Sequence, residues 1–172
     1  PNPGHMHWAS RPVRTYAYVV RSGNGASEAV DPTYYVPNAY MSIFVKVTKY
    51  KYKYRGLLLH AVNKKGENVG EWALPQNEKH AFWHPPICSS IGGEKKVVLH
   101  NQAAEKLYTM QFNFVAPPAG TGAITFRTLI KEGPANEGAF YFPREDLVLR
   151  EQAPSTDAST AAVWKVARFG QS

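Results

Sequence analysis

Cysteine is almost absent. Cys88 is the single one among 172 residues, so no disulfide can form within the chain. Taken alone this fits a reducing compartment, although a domain of this length can fold without disulfides. Aspartate is scarce too. Asp31, Asp146 and Asp157 lie far apart, so a calcium cage built from one Asp-rich loop is not expected. No apolar run is long enough to span a bilayer, and nothing at the start reads as a signal peptide. No Asn-x-Ser/Thr sequon occurs, so N-glycosylation is not expected. Catalytic signatures are missing as well. Ser89-Ser90 has no nucleophile elbow around it, and there is no phosphate-cradling Gly loop and no pair of carboxylates at a telling spacing. The expectation is a non-enzymatic chain with no cofactor.

What is present is globular. The hydrophobic fraction of 44% and the aromatic fraction of 13% set the chain apart from disordered compositions. Its length suits one domain with a sizeable core. Twenty Lys and Arg against thirteen Asp and Glu give a net charge of +7, which favours anionic partners without choosing among them.

Short alternating runs dominate the chain. Residues 15–21, 40–48, 55–62, 69–74, 95–101, 107–115, 123–130 and 139–142 read as strands, bounded by Gly, Pro and Asn turns. Within 40–48, Met41, Ile43, Val45 and Val47 share one face, with Ser42, Lys46 and Thr48 on the other. Pro75 to Gly93 is irregular and rich in Pro and His. No long helical period occurs. The fold class expected is all-β, an antiparallel β-sandwich with an irregular Pro/His-rich middle loop. Residues 1–14 read as an N-terminal arm, its first six resembling a cloning remnant. Residues 15–150 read as the sandwich, and 151–172 as a low-complexity linker with a short terminal segment.

One stretch stands apart: TKYKYKYRG, residues 48–56. Continued strand alternation would turn Lys49 toward the core, where an unpaired charge is costly. The strand must therefore end or bulge near residues 47–50, leaving the basic residues on an exposed hairpin connection. Lys49, Tyr50, Lys51, Tyr52, Lys53 and Arg55, with Lys64 and Lys65 nearby in sequence, form the candidate anion patch. The plainer reading is a solubilising hairpin tip with lysines guarding a strand edge. Phe82 and Trp83 are a candidate membrane wedge, equally well explained by packing over the open end of the sandwich. His80, His84 and Cys88 recur every four residues and are ligand types for zinc or copper. Pro85-Pro86 forbids a helix there, which favours a surface loop with chance histidines.

Several of these segments together resemble the reeler (reelin amino-terminal) family. Arg55-Gly56-Leu57-Leu58-Leu59-His60-Ala61 is similar to its R-G-F-L-L-Q-A signature. Tyr35 to Tyr40 resembles Y-x-P-G-x-x-Y, and Val69-Gly70-Glu71-Trp72 resembles V-G-x-F. The longest match is Phe112 to Arg127, with Ala116-Pro117-Pro118-Ala119-Gly120-Thr121-Gly122 at its centre, a rigid Pro/Gly hairpin connection. Where many members carry a second cysteine this chain has Ala123, which leaves Cys88 unpaired. The resemblance implies a β-sandwich module, secreted or at the cell surface, used in adhesion or ligand recognition. Joined to the charge, it makes an anionic glycan the expected partner. Anionic lipid headgroups, or a protein partner in a larger assembly, are the alternatives. Nucleic acid is not expected, because the aromatics follow strand alternation and are explained by a core.

Overall fold

The computed structural model describes residues 13–15, 18–23, 33–48, 54–73, 82–83, 95–102, 104–106, 108–133 and 139–153. Within them the chain forms twelve strands: β1 (Val13–Thr15), β2 (Tyr18–Gly23), β3 (Tyr34–Tyr35), β4 (Tyr40–Val47), β5 (Tyr54–Val62), β6 (Glu71–Ala73), β7 (Phe82–Trp83), β8 (Val97–His100), β9 (Thr109–Val115), β10 (Ile124–Glu132), β11 (Phe140–Pro143) and β12 (Leu147–Glu151). There is no helix among the described residues.

Two sheets face each other. The smaller runs β2-β4-β9-β6, entirely antiparallel. The larger runs β11-β10-β5-β8-β7, with β1 beyond β11, and β12 beside the start of β10 with β3 beyond it. Most pairs are antiparallel, but β1 lies parallel to β11 and β3 parallel to β12. The sandwich is thus mixed at its margins.

The core follows from alternation on the two inner faces. Ile43, Val45 and Val47 of β4, with Met110, Phe112 and Phe114 of β9, meet Leu57, Leu59 and Ala61 of β5 and Ile124, Phe126 and Ile130 of β10. Each fully buried aliphatic or aromatic side chain contributes about 1.5–3 kcal/mol. Trp72 links the sheets. Its ring lies 4.6 Å from Phe114 and 6.5 Å from Phe112, and 5.8 Å from Phe126 on the facing sheet.

Several connections differ from the sequence expectation. Strands β4 and β5 belong to different sheets and do not pair, so they are not the two arms of a hairpin. Residues 116–123 likewise join strands of different sheets, β9 and β10, whereas the expected turn at Asn63–Gly66 is present, with Val62 bridged antiparallel to Asn68 before the chain reaches β6 in the other sheet. The reason is that β4 and β5, and likewise β9 and β10, bury their apolar faces against each other across the core, not side by side. The expected strand over 15–21 is also divided: β1 pairs in the larger sheet and β2 in the smaller. Alternation failed on β4, where Ser42 and Phe44 are buried as well as Met41, Ile43 and Val45. Phe82–Trp83, expected to be irregular, pairs with β8. Strands β3 and β12 had no sequence signal strong enough to single them out.

Candidate anion-binding site

Strand β4 ends at Val47, where the charge at position 49 requires it to end. Residues 49–53 lie outside the described residues, as do His80, His84 and Cys88. The structure does place what flanks the basic stretch. Strand β5 opens with a bulge. Glu132 is opposite Tyr54 and Lys131 opposite Gly56, so Arg55 is the extra residue. The bulge keeps both Tyr54 and Leu57 in the core, and Arg55 is half-buried at the strand end. Its guanidinium reaches the Glu105 carboxylate at 3.6 Å.

Gly56 follows, and two side chains occupy the space above it. A Cβ at Gly56 would stand 2.8 Å from Lys131 Cβ, 2.9 Å from His100 Cε1 and 3.2 Å from His100 Nε2. Only glycine lets the imidazole at the end of β8 and the lysine stem on β10 meet there. The Leu57 N–H donates to His100 Nδ1 at 3.1 Å, and Leu57 O lies 3.3 Å from the same nitrogen. Burial pushes the His100 pKa below its ordinary value, the nearby Leu57 carbonyl opposes that, and Lys106 and Lys131 add to the depression. Lys131 Nζ sits 5.8 Å from the centre of the Phe140 ring and donates to Gly133 O at 3.5 Å. Burial, then the neighbouring Arg55, lowers its pKa. Lys106 is buried, and its ammonium donates to the carbonyls of Gln102 and Ala104 at 2.8 Å each. Burial lowers its pKa too. The backbone N–H of Lys106 donates to Tyr54 O, which ties the 101–106 connection to the start of β5.

Four cationic or potentially cationic groups therefore gather where β5 begins and β8 and β10 end. Lys46, near the end of β4, belongs to this same end of the sandwich. Lys64 and Lys65 do not. They are exposed on a turn at the far end of β5, a strand about 25 Å long. That turn is held by Asn63 Oδ1, which accepts from the N–H groups of Lys65 and Glu67 at 2.9 and 3.0 Å. Screening at physiological salt acts over about 8 Å, so the two lysines act independently of Arg55. Phe82 and Trp83 form the short edge strand beside β8, with Phe82 opposite His100.

The opposite end carries a different device. Glu151 closes β12, and its two carboxylate oxygens accept from the N–H groups of Gly120 and Gly122 at 2.7 Å each. The Tyr35 hydroxyl donates to Gly122 O at 2.7 Å and lies 3.4 Å from the same carboxylate. The Pro-Pro-x-Gly-Thr-Gly segment is thereby clamped from β3 and β12 at once. A family model for the reeler domain matches residues 21–154.

The chain belongs to the reeler domain family. Solved reeler domains share its fold. A reeler domain fragment of human F-spondin superposes with a TM-score of 0.61 at 21% identity, covering 83% of this chain and 92% of that one. The Reelin-N domain of F-spondin gives 0.62 at 20% identity, covering 83% and 91%. A second human F-spondin reeler fragment gives 0.61 at 18% identity, covering 86% and 96%. No curated protein is significantly similar to the chain in sequence.

In this reeler domain the residues of the family signatures are architectural. Gly56 makes room for His100 and Lys131, Gly70 for Phe114, and the Gly120 and Gly122 amides hold Glu151. The residues that sequence reading passed over are His100, Lys106, Lys131 and Glu151. His100, Lys131 and Glu151 are brought to their neighbours across strands or between sheets, while the Lys106 ammonium is held by the carbonyls of Gln102 and Ala104 on its own connection. Glu151 falls in the segment read as linker, yet it completes the last strand. Among the described residues no group of three His, Cys, Asp or Glu could hold a metal ion.

Proposed function

We propose that this domain is a non-enzymatic extracellular recognition module that binds an anionic glycan at the basic end of the sandwich. Membership in the reeler family supports the extracellular setting. The observation that carries the ligand class is the gathering of Arg55, His100, Lys106 and Lys131 where β5 begins, two residues along the chain from Lys53. At the same end the Glu105 carboxylate stands 3.6 Å from the Arg55 guanidinium. An anion arriving there relieves like-charge repulsion in a partly desolvated place, where the effect is larger than on an open surface.

Heparin-agarose with a salt gradient tests the reading. The wild-type domain is expected to elute above physiological salt. A Lys49→Glu, Lys51→Glu, Lys53→Glu variant is expected to wash through, while Lys64→Glu with Lys65→Glu at the far end loses far less. Elution of all three proteins at or below physiological salt would reject the reading. A protein partner is the second reading, favoured by the exposure of Tyr34, Val36 and Tyr40 near the clamped end, at 50%, 43% and 78%. It predicts a defined complex on size-exclusion chromatography that Tyr40→Ala weakens and salt does not.

A further inference from the structure

We propose that the open edge of β3 is a docking site for an extended, acidic segment of another protein, which adds to the larger sheet as a further strand. The inference rests on the second reading of the function, a protein partner near the clamped end, and names the chemistry of that partner.

The backbone of β3 is engaged on one side. The N–H groups of Arg150 and Gln152, on and just after β12, donate to Thr33 O and Tyr35 O at 2.9 Å each. Tyr34 lies between those two acceptors, so its own N–H and C=O point away from β12. No described strand lies on that side. An open edge is a template for another chain, and proteins commonly guard it with lysine, proline or a bulge. Residues 33–36, Thr-Tyr-Tyr-Val, carry no charge, and Pro37 comes only after them. The edge therefore offers one donor and one acceptor to an added strand.

The side chains define the partner. Tyr35 and Glu151 turn to the clamp at Gly120 and Gly122. By alternation Tyr34 on β3, with Val148 and Arg150 on β12, faces the other way. Three of the five exposed large apolar side chains among the described residues are Tyr34, Val36 and Val148, so exposure is concentrated at this margin. Arg150 is exposed and stands directly opposite Tyr34. A tyrosine beside an arginine on a partly apolar patch has the composition of a protein-binding hot spot. A strand added to β3 lies one spacing from Tyr34 and two, about 10 Å, from β12, which a long acidic side chain and Arg150 together span. Backbone bonds and apolar contact supply most of the affinity, and the acid selects the partner. The net charge of +7 favours the same choice and opposes a second copy of this chain as occupant.

The test starts with hydrogen exchange of the free wild-type chain at low concentration. The Tyr34 amide is expected to exchange fast while the Arg150 and Gln152 amides are protected. A slow Tyr34 amide overturns the proposal, because the edge is then already filled by the chain itself. A displayed library of random twelve-residue peptides is next selected on wild type and counter-selected on Tyr34→Pro. Proline removes the outward N–H and leaves the bonds to Thr33 O and Tyr35 O in place. The enriched peptides are expected to be acidic. The leading one, made synthetically, should slow Tyr34 exchange and bind about tenfold more weakly to Tyr34→Pro and several-fold more weakly to Arg150→Glu. N-methylation of alternate amides in that peptide should abolish binding to wild type, a measurement that needs no variant to fold. No enriched peptide, or peptides that bind without protecting Tyr34, overturns the edge site. A complex on size-exclusion chromatography that Tyr40→Ala weakens and Tyr34→Pro does not also overturns it, while leaving the protein-partner reading intact. Dimerisation of the chain at higher concentration with protection of Tyr34 assigns the edge to a second copy and overturns the acidic partner.

Discussion

Gly70 has a left-handed backbone, φ 68°, and a Cβ there would run into the Phe114 ring and within 2.7 Å of Val115 O. Neither neighbour can give, because Phe114 is fully buried and its ring lies tilted against Trp72, 4.6 Å between centres. Gly70→Ala is expected to cost about 2–4 kcal/mol, read as a lower urea midpoint at unchanged slope. His100 gives the second residue-scale prediction. Its folded pKa lies below the unfolded value of 6.5, with burial as the largest cause. The unfolded chain therefore takes up the proton first, and stability falls as pH drops from 6.5 through the lower folded pKa. Urea midpoints at pH 7.5 and 5.0 should converge in His100→Asn relative to wild type.

Between elements, the decisive contacts are those that fasten crossing segments to the sheets. The 116–123 connection is held by Glu151, whose pKa is lowered by the Gly120 and Gly122 amides and by the Tyr35 hydroxyl, against a smaller opposing effect of burial. Its contribution is fully present above pH 4.5 and is lost as pH falls through the lower folded value. Glu151→Gln should speed amide exchange at Gly120 and Gly122 and lower the melting temperature, with little change in exchange at the start of β5. Tyr35 responds at the other extreme of pH. Burial, then the Glu151 charge and the hydrogen bond to it, push its pKa up to about 12. The folded state then holds a proton that the unfolded chain releases near pH 10, so stability falls above pH 10. Tyr35→Phe should flatten that alkaline loss in a series of thermal melts. Trp72 fastens β6 in the same way through ring contacts to β9 and β10.

For the molecule as a whole, the two ends of the sandwich carry different work. One gathers cations from β5, β8, β10 and the preceding connection. The other is closed by the clamped Pro-Pro-x-Gly-Thr-Gly segment and the 63–70 turn. A ligand that binds only the folded domain stabilises it by about 2.7 kcal/mol at one hundred times its Kd. Hydrogen exchange with a saturating heparin octasaccharide should therefore show extra protection at the start of β5 and the ends of β8 and β10, and none specific to residues 116–122. Protection centred on the clamped end instead would place the ligand among Tyr34, Val36 and Tyr40. The net charge of +7 attracts polyanions to either end, but a common charge does not join them into one surface.

Alternation and turn residues were enough to read most strands, because each buries one face and flips its side chains with period two. Val47 as the end of β4 was legible for the same reason, since Lys49 has no place in a core. Which strands pair was not legible, because pairing depends on how apolar faces meet across the sandwich. Strands β4 and β5 therefore looked like the arms of a hairpin and proved to belong to different sheets. The amino acids alone determined the basic composition, the family signatures and the period-two core. Tertiary structure decided that Lys64 and Lys65 stand apart from Arg55, and that His100 and Lys131 join it over Gly56. It decided too that Glu151 closes a strand. Those meetings are made by sheet register, and no spacing along the chain encodes them.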